Sequence, residues 1–256
     1  MLICWNVNSI NARLPHIISL INQLSPEILL LQETKCVDGN FPNSTLEDLG
    51  YNVTLSGQKS YNGVAIISKY SLEDIVIGLP GLENTEARYL EASTMIAGCY
   101  TRVISVYVPN GAFIESEKFR YKKRFLDSLL QRLIVLKKTE DNIIVAGDFN
   151  ISPDDIDVYD VKKMSGSLCF HIEERKKFRM LINCGFIDSF RIFNHLQQTF
   201  SWWDYRAGSW QNNKGLRIDH ILLSPAIADV IQKAEILTEL RGRPKPSDHA
   251  PISISW

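Results

Sequence analysis

Asn142-Ile-Ile-Val-Ala-Gly-Asp148-Phe-Asn150 reads as an apolar strand that stops on a carboxylate and an amide. The same event recurs along the chain. Ile28-Leu-Leu-Leu31 runs into Gln32-Glu33-Thr34-Lys35, and Leu216-Arg-Ile218 leads to Asp219-His220. Pro246-Ser247 precedes Asp248-His249 and a last apolar run, and near the start Trp5 is followed by Asn6, Val7 and Asn8. Singly, each is ordinary. A Glu after a strand is usually a solvated loop residue, and Asp-Phe-Asn has the composition of a turn. Asp219 is less ordinary, because it sits inside an apolar run, and a buried carboxylate needs a partner. Together they ask for one explanation. Strand ends in layered α/β proteins converge on one edge, where ligands commonly bind. Several carboxylates there repel unless a cation or a shared proton holds them.

Working outward, strand-like runs rich in Ile, Val, Leu and Tyr recur at Leu2–Val7, Ile28–Leu31, Asn52–Leu55, Gly63–Ser68 and Arg88–Met95. Others follow at Arg102–Val108, Asn142–Ala146, Leu216–Leu223 and Ile252–Trp256; Gly, Pro, Asn or Ser bounds many of them. Helical periodicity marks Ile10–Leu24, with Ile10, Leu14, Ile17, Ile18, Ile21 and Leu24 on one face. Ser116–Lys137 is longer, with Phe119, Phe125, Leu126, Leu129 and Leu133 on its apolar side and Lys118, Arg120, Lys122, Lys123, Arg124 and Arg132 on a basic one. Glu173–Asn183 is a third helix. Hairpin-like pairs in the middle and strand–helix alternation near the ends imply layered sheets flanked by helices. No linker or repeat interrupts residues 1–256, which predicts a single domain.

The net charge of −1 gives no general attraction to nucleic acid, and composition alone favours a small-molecule enzyme. The five cysteines are scattered without metal-ligand or redox spacing, so the expectation is buried or indifferent thiols in a reducing compartment. With no basic, apolar leader at the N-terminus and no run of about 20 apolar residues, a cytoplasmic protein without a membrane partner is expected. The oxygen ligands on offer, from Glu33, Asp148, Asp219 or Asp248 and the amides of Asn6, Asn8 or Asn150, suit Mg²⁺ or Mn²⁺. Acidic residues, a metal and histidine are a plausible apparatus for hydrolysing phosphoryl esters. This reasoning does not by itself reach DNA.

At these residues the sequence resembles the exonuclease III family of abasic-site endonucleases, within the endonuclease/exonuclease/phosphatase superfamily. The landmarks, in order, are Trp5–Asn8, Leu31–Lys35, Gly57–Lys59 with Gly63–Ala65, Tyr107–Gly111, Gly147–Pro153, Phe200–Arg206, Gly215–Asp219 and Ser247–Pro251. One such motif is weak; eight in this order are strong. The resemblance implies a DNase I-like α/β fold, a four-layer sandwich of two mixed β-sheets flanked by helices. It implies a monomeric, Mg²⁺-dependent enzyme, Mn²⁺ substituting, that acts on double-stranded DNA with abasic sites or 3′ ends. Glu33 is implied as principal metal ligand, helped by Asn8, with Asp248, Asp148, Asn150 and His249 also in the metal set. Asp148 and Asn150 are implied to activate and orient water, supported by Asn6. Tyr107 is implied to bond the scissile phosphate, and His249, paired to Asp219, to bind a phosphate oxygen.

For DNA, the resemblance points to Arg88, Asn110, Lys59, Arg206, Trp202 and Leu216. Some relatives carry Trp at the position of Leu216, and some an Arg at that of Phe113. Of Trp202 and Trp203, one is expected to belong to the core. The basic clusters nearest the acidic landmarks, including Arg206, Lys214, Arg217, Arg241 and Arg243, are candidates for phosphate contacts. Two other readings keep the fold: a phosphatase or phosphodiesterase acting on phospholipid head groups, and a non-catalytic DNA-binding relative with a dead site.

Overall fold

The computed structural model describes residues 1–83, 85–96 and 98–256. In chain order the elements begin with β1 (Leu2–Asn6), α1 (Ile10–Leu24), β2 (Ile28–Gln32), α2 (Asn43–Glu47), β3 (Asn52–Ser56) and β4 (Val64–Ser68). They continue with β5 (Glu73–Ile77), β6 (Tyr89–Ile96), β7 (Cys99–Tyr107), α3 (Glu117–Leu136), β8 (Ile143–Asp148) and α4 (Val161–Met164). The last are α5 (Ile172–Asn183), β9 (Ile187–Asp188), α6 (Ser189–Phe193), β10 (Asp219–Leu223), α7 (Pro225–Ala228), β11 (Lys233–Ile236) and β12 (Ile252–Ser255).

Two six-stranded sheets form, in the orders β11-β12-β1-β2-β4-β3 and β5-β6-β7-β8-β10-β9. Each sheet has one parallel pair, β1 with β2 and β7 with β8, and is otherwise antiparallel. The parallel pairs are joined by the two long helices, because a parallel connection needs a crossover. Alternate strand residues point to opposite faces. Leu2, Cys4, Leu30, Val64, Ala92, Val103, Ile144, Ala146 and Ile221 fill the space between the sheets. Ile3, Trp5, Leu29, Leu31 and Ala65 meet Ile10, Ile17 and Leu20 of α1 on the outside of the first sheet. Ile104, Val106, Ile143 and Val145 meet α3 and α5 on the outside of the second. The result is the expected helix–sheet–sheet–helix sandwich.

Local signals set the helix ends. The Ser9 side chain accepts from the Ala12 amide to start α1, and the left-handed Ser25, its amide bonded to the Ile21 carbonyl, ends it. Ser116 caps α3 in the same way through Phe119. Gly147 is required by close approach: a Cβ there would collide with the Val106 carbonyl oxygen, so β8 lies against β7 only without a side chain.

The structure differs from the expectations in places. β5 is an edge strand with mostly exposed residues, so it lacks the buried run that marks a strand. β9, β11 and the one-turn helices are too short for periodicity to show. The run from Leu216 becomes a strand only at Asp219; Leu216 instead bridges to Val158 and Trp202. On α1, Leu20 is buried and Leu24 exposed. On α3, Lys122 is buried in an ion pair with Glu174 and belongs to no solvated basic side. Among the described residues, no helix is long and apolar enough to cross a membrane.

Candidate active site

Register brings the predicted residues together. Asp148 ends β8, with Tyr107 of β7 as its partner on one side and Asp219 of β10 on the other. Asn6 ends β1 and stands beside Gln32 of β2, so Glu33 follows at the same edge. The two sheets therefore offer their polar ends to one place. Asn8, Glu33 and Asn150 all take left-handed backbone conformations, at φ of 47°, 53° and 53°. Such strain costs on the order of 1–3 kcal/mol per residue and persists where surrounding bonds over-determine it. Here the Ser9 amide donates to the Glu33 carbonyl at 2.8 Å, and the Asn150 amide to Asp148 Oδ1 at 2.8 Å.

Asn6 joins the sheets: its Nδ2 donates to Glu33 Oε1 at 2.8 Å and to Asp148 Oδ2 at 3.0 Å. Its Oδ1 accepts the Asn8 amide. His249 Nδ1 lies 2.8 Å from Asp219 Oδ2, and its Nε2 lies 3.7 Å from Asp148 Oδ2. Asp219 Oδ2 also accepts from the Ser201 hydroxyl at 2.6 Å. Asn150 Nδ2 donates to Asp148 Oδ2 and the Val108 carbonyl, and its Oδ1 accepts from Asn110 Nδ2 at 3.0 Å. Asp248 has both oxygens engaged, Oδ1 by Asn8 Nδ2 at 2.9 Å and Oδ2 by Trp202 Nε1 at 3.0 Å.

Charge follows from these contacts. Burial, with smaller pushes from Asp219 and Glu33, drives the Asp148 carboxyl up to about 7 despite the pull of His249. For His249, burial disfavours the charge, but Asp219 and then Asp148 outweigh it and carry the imidazole up to about 10. At neutral pH it is an imidazolium, with both ring nitrogens as donors. Burial works to raise Glu33 too, yet the bonds from Asn6 and Lys35 hold it below the usual carboxylate range. Tyr107 is pushed up by burial and then by Glu33 and Asp148, so its phenol stays protonated.

These groups open onto a cavity of about 680 Å³. Glu33, Tyr107, Asn110, Asp148, Asn150, Asp248 and His249 line it, and beside them Tyr159, Leu168, Trp202, Leu216 and Ile218 pack together as an apolar wall. Trp203 is the core tryptophan, 2% exposed and packed edge-on to Phe200 and Trp210. Arg88 lies over the Tyr107 ring, 4.6 Å from its centroid, and pairs with Glu86. Lys59 and Arg206 lie outside the cavity lining, both exposed, with Arg206 paired to Asp204. Lys214 does reach the lining. Arg217 is no phosphate contact: it is buried and ion-paired to Asp157 and Asp188. Arg241 is also buried, stacked on Tyr205 and Trp210.

Sequence reasoning missed Lys35, whose ammonium bonds both Glu33 and Asn8 Oδ1. Its place two residues after Glu33 was the signal. It also missed Tyr205, whose hydroxyl donates to the Pro246 carbonyl and accepts from Arg13. Ligand atoms of Glu33, Asp148 and His249 lie within 4.8 Å of one another. The two carboxylates supply hard oxygen donors and fit Mg²⁺ or Mn²⁺.

The family model for the endonuclease/exonuclease/phosphatase family matches residues 3–249. An exodeoxyribonuclease III of Haemophilus influenzae is 36% identical, over 98% of this chain and 97% of its own. Among solved structures, a 3′ phosphatase from Neisseria bound to a product DNA hairpin superposes with a TM-score of 0.95 at 38% identity, covering 100% of this chain and 99% of that one. An AP endonuclease from Archaeoglobus fulgidus superposes with a TM-score of 0.93 at 35% identity, covering 100% and 98%. The chain belongs to the endonuclease/exonuclease/phosphatase family, on its exodeoxyribonuclease III branch.

Proposed function

We propose that this protein is a DNA-repair nuclease that hydrolyses the phosphodiester 5′ to an abasic site in double-stranded DNA, leaving a 3′-hydroxyl and a 5′-deoxyribose phosphate. The same site would trim 3′ ends. One observation carries the reading: a hydrolytic cluster and an apolar wall line the same cavity. That wall, with Trp202 and Leu216, suits a sugar without its base, whose extrusion costs least. The exodeoxyribonuclease and AP endonuclease relatives support the substrate class.

In-line displacement at phosphorus needs a nucleophile, neutralised charge and leaving-group support. Asp148, with a carboxyl near neutrality, takes the proton from water. Asn150, fixed against Asp148, orients that water. The imidazolium of His249 and the phenol of Tyr107 donate to the phosphate oxygens. Glu33 is the main candidate to hold Mg²⁺, or Mn²⁺, with Asp148 beside it. Asn8 and Asp248 bond each other, and Lys35 connects Asn8 Oδ1 to Glu33. When bound, the divalent cation supplies charge neutralisation at the phosphate and the departing 3′-oxygen. Asn110 in the cavity lining, and Arg88 stacked on Tyr107, are the candidates to meet the DNA backbone, and residues 1–256 act as one domain and one monomer.

The test is cleavage of a labelled duplex carrying one abasic analogue, beside an intact duplex, with Mg²⁺ and with EDTA. Mg²⁺-dependent incision immediately 5′ to the lesion, lost in Asp148→Ala, is expected. If only the intact duplex is shortened from its 3′ ends, the abasic role of Trp202 is wrong. If neither is cut by folded protein, DNA is not the substrate.

A further inference from the structure

Lys122 lies on α3 with none of its surface exposed. It occupies the apolar stripe, three residues after Phe119 and four before Leu126, where a hydrophobic side chain would pack. An ammonium carries three donors. All three are committed: Nζ donates to the Asn150 carbonyl at 2.7 Å, to the Asn110 carbonyl at 3.3 Å, and to Glu174 Oε1. Glu174 is equally buried, and its Oε2 accepts the His171 amide at 3.0 Å.

Stability does not explain this arrangement. Desolvating an ion pair is costly, and apolar residues of similar volume are often neutral or better. The carbonyls that Lys122 grips explain it. Asn110 follows β7 and Asn150 follows β8, adjacent parallel strands, and both line the catalytic cavity. Asn150 is held in a left-handed conformation, and its side chain connects Asn110 to Asp148. Gly111, also at positive φ, makes the turn after Asn110, and a Cβ there would crowd Leu168 and Phe119 at 3.2 and 3.3 Å.

We infer that Lys122, with Glu174 as its counter-ion, is a positioning residue that locks Asn110 and Asn150 together against Asp148. The inference rests on the nuclease reading for what those asparagines do. The pair acts from behind the site, between α3 and α5, and touches no substrate.

The experiment uses Lys122→Met and the double variant Lys122→Met/Glu174→Gln, which leaves no unpaired carboxylate if the single variant fails to fold. Each is made in the wild-type and the Asn150→Ala backgrounds. In the wild-type background, kcat for abasic-duplex incision falls about tenfold or more, a larger change than in KM. In the Asn150→Ala background the same change costs about threefold or less, because the group being positioned is gone. The Asn110 and Asn150 side-chain amide signals, read by NMR without turnover, lose their dispersion in the variants. Equal losses in both backgrounds, or unchanged amide signals, would overturn the inference. So would a folded variant of undiminished kcat. If the wild type cuts no DNA, the nuclease reading fails by itself, and the amide signals still decide whether Lys122 holds the two asparagines.

Discussion

Asp148 and Asp219 face each other in register across antiparallel β8 and β10, and the imidazole of His249 bridges their carboxylates. Two buried anions are thereby held around one cation. Asp219 keeps the imidazole charged, and burial raises the Asp148 carboxyl to about 7.

Asp219→Asn tests this division. It preserves shape and removes the nearer anion. The wild-type alkaline limb of the pH–rate profile lies near the imidazolium value of about 10 and moves towards neutrality in the variant. Incision at pH 8 falls about 100-fold or more. The sign is that of a raised folded value: stability from the pair is complete below the ordinary 6.5 and is lost as pH rises through about 10. Coincident alkaline limbs in the two proteins would refute it.

Asn6→Ala removes the amide that spans Glu33 and Asp148. The variant loses the direct hydrogen-bonded bridge between the two carboxylates. The Mg²⁺ concentration for half-maximal rate should rise about 10–100-fold, the usual effect of losing a group that orients metal ligands. A Mg²⁺ titration of single-turnover incision reads it, and an unchanged midpoint would remove Asn6 from that role.

Trp202 contributes both a wall and a donor to Asp248. Trp202→Phe keeps most of the wall and loses the donor; Trp202→Ala loses both. Abasic incision should fall about threefold in the first and about 30-fold or more in the second, since an aromatic ring buries a large apolar area. Equal losses would mean that the indole N–H, and not the wall, matters.

Arg217→Met leaves the Asp157 and Asp188 carboxylates buried without their shared cation. At pH 7 a loss of about 3–5 kcal/mol is expected. In the wild type, burial works to raise both carboxyls, but Arg217 outweighs it and holds them low. Their stabilisation is therefore present above the ordinary carboxylate range and lost only as pH falls through the lowered values. In the variant Asp157 keeps Arg191 and Asp188 keeps the nearby His220, but burial gains weight and protonation relieves the strain. Urea melts at pH 7 and pH 5 should show the gap between the proteins narrowing at pH 5; a constant gap would contradict it.

Much of this was legible because burial on both faces makes a strand an unbroken apolar run, so its polar end stands out, as at Val145-Ala-Gly-Asp148. β5 was hidden for the converse reason, being an exposed edge with no buried face to pattern it. Lys122 was legible in principle. Its spacing from Phe119 and Leu126 puts it on the core stripe, but residue type outweighed position in the reading. Arg217 lay one residue from a landmark apolar pair and two from Asp219. Proximity in sequence did not reveal that its side chain turns to Asp157 and Asp188. Partners 29 to 60 residues distant are set by tertiary packing alone.

β12 pairs with β1 inside the first sheet, and His249 comes just before it. During synthesis the ribosome makes these residues after every other strand described. Until they emerge, β1 has an open edge, Asp148 and Asp219 lack their common cation, and Trp5 Nε1 lacks the His249 carbonyl that it bonds. A chain translated only as far as β11 therefore lacks the imidazolium of the site and leaves its two aspartates facing each other alone.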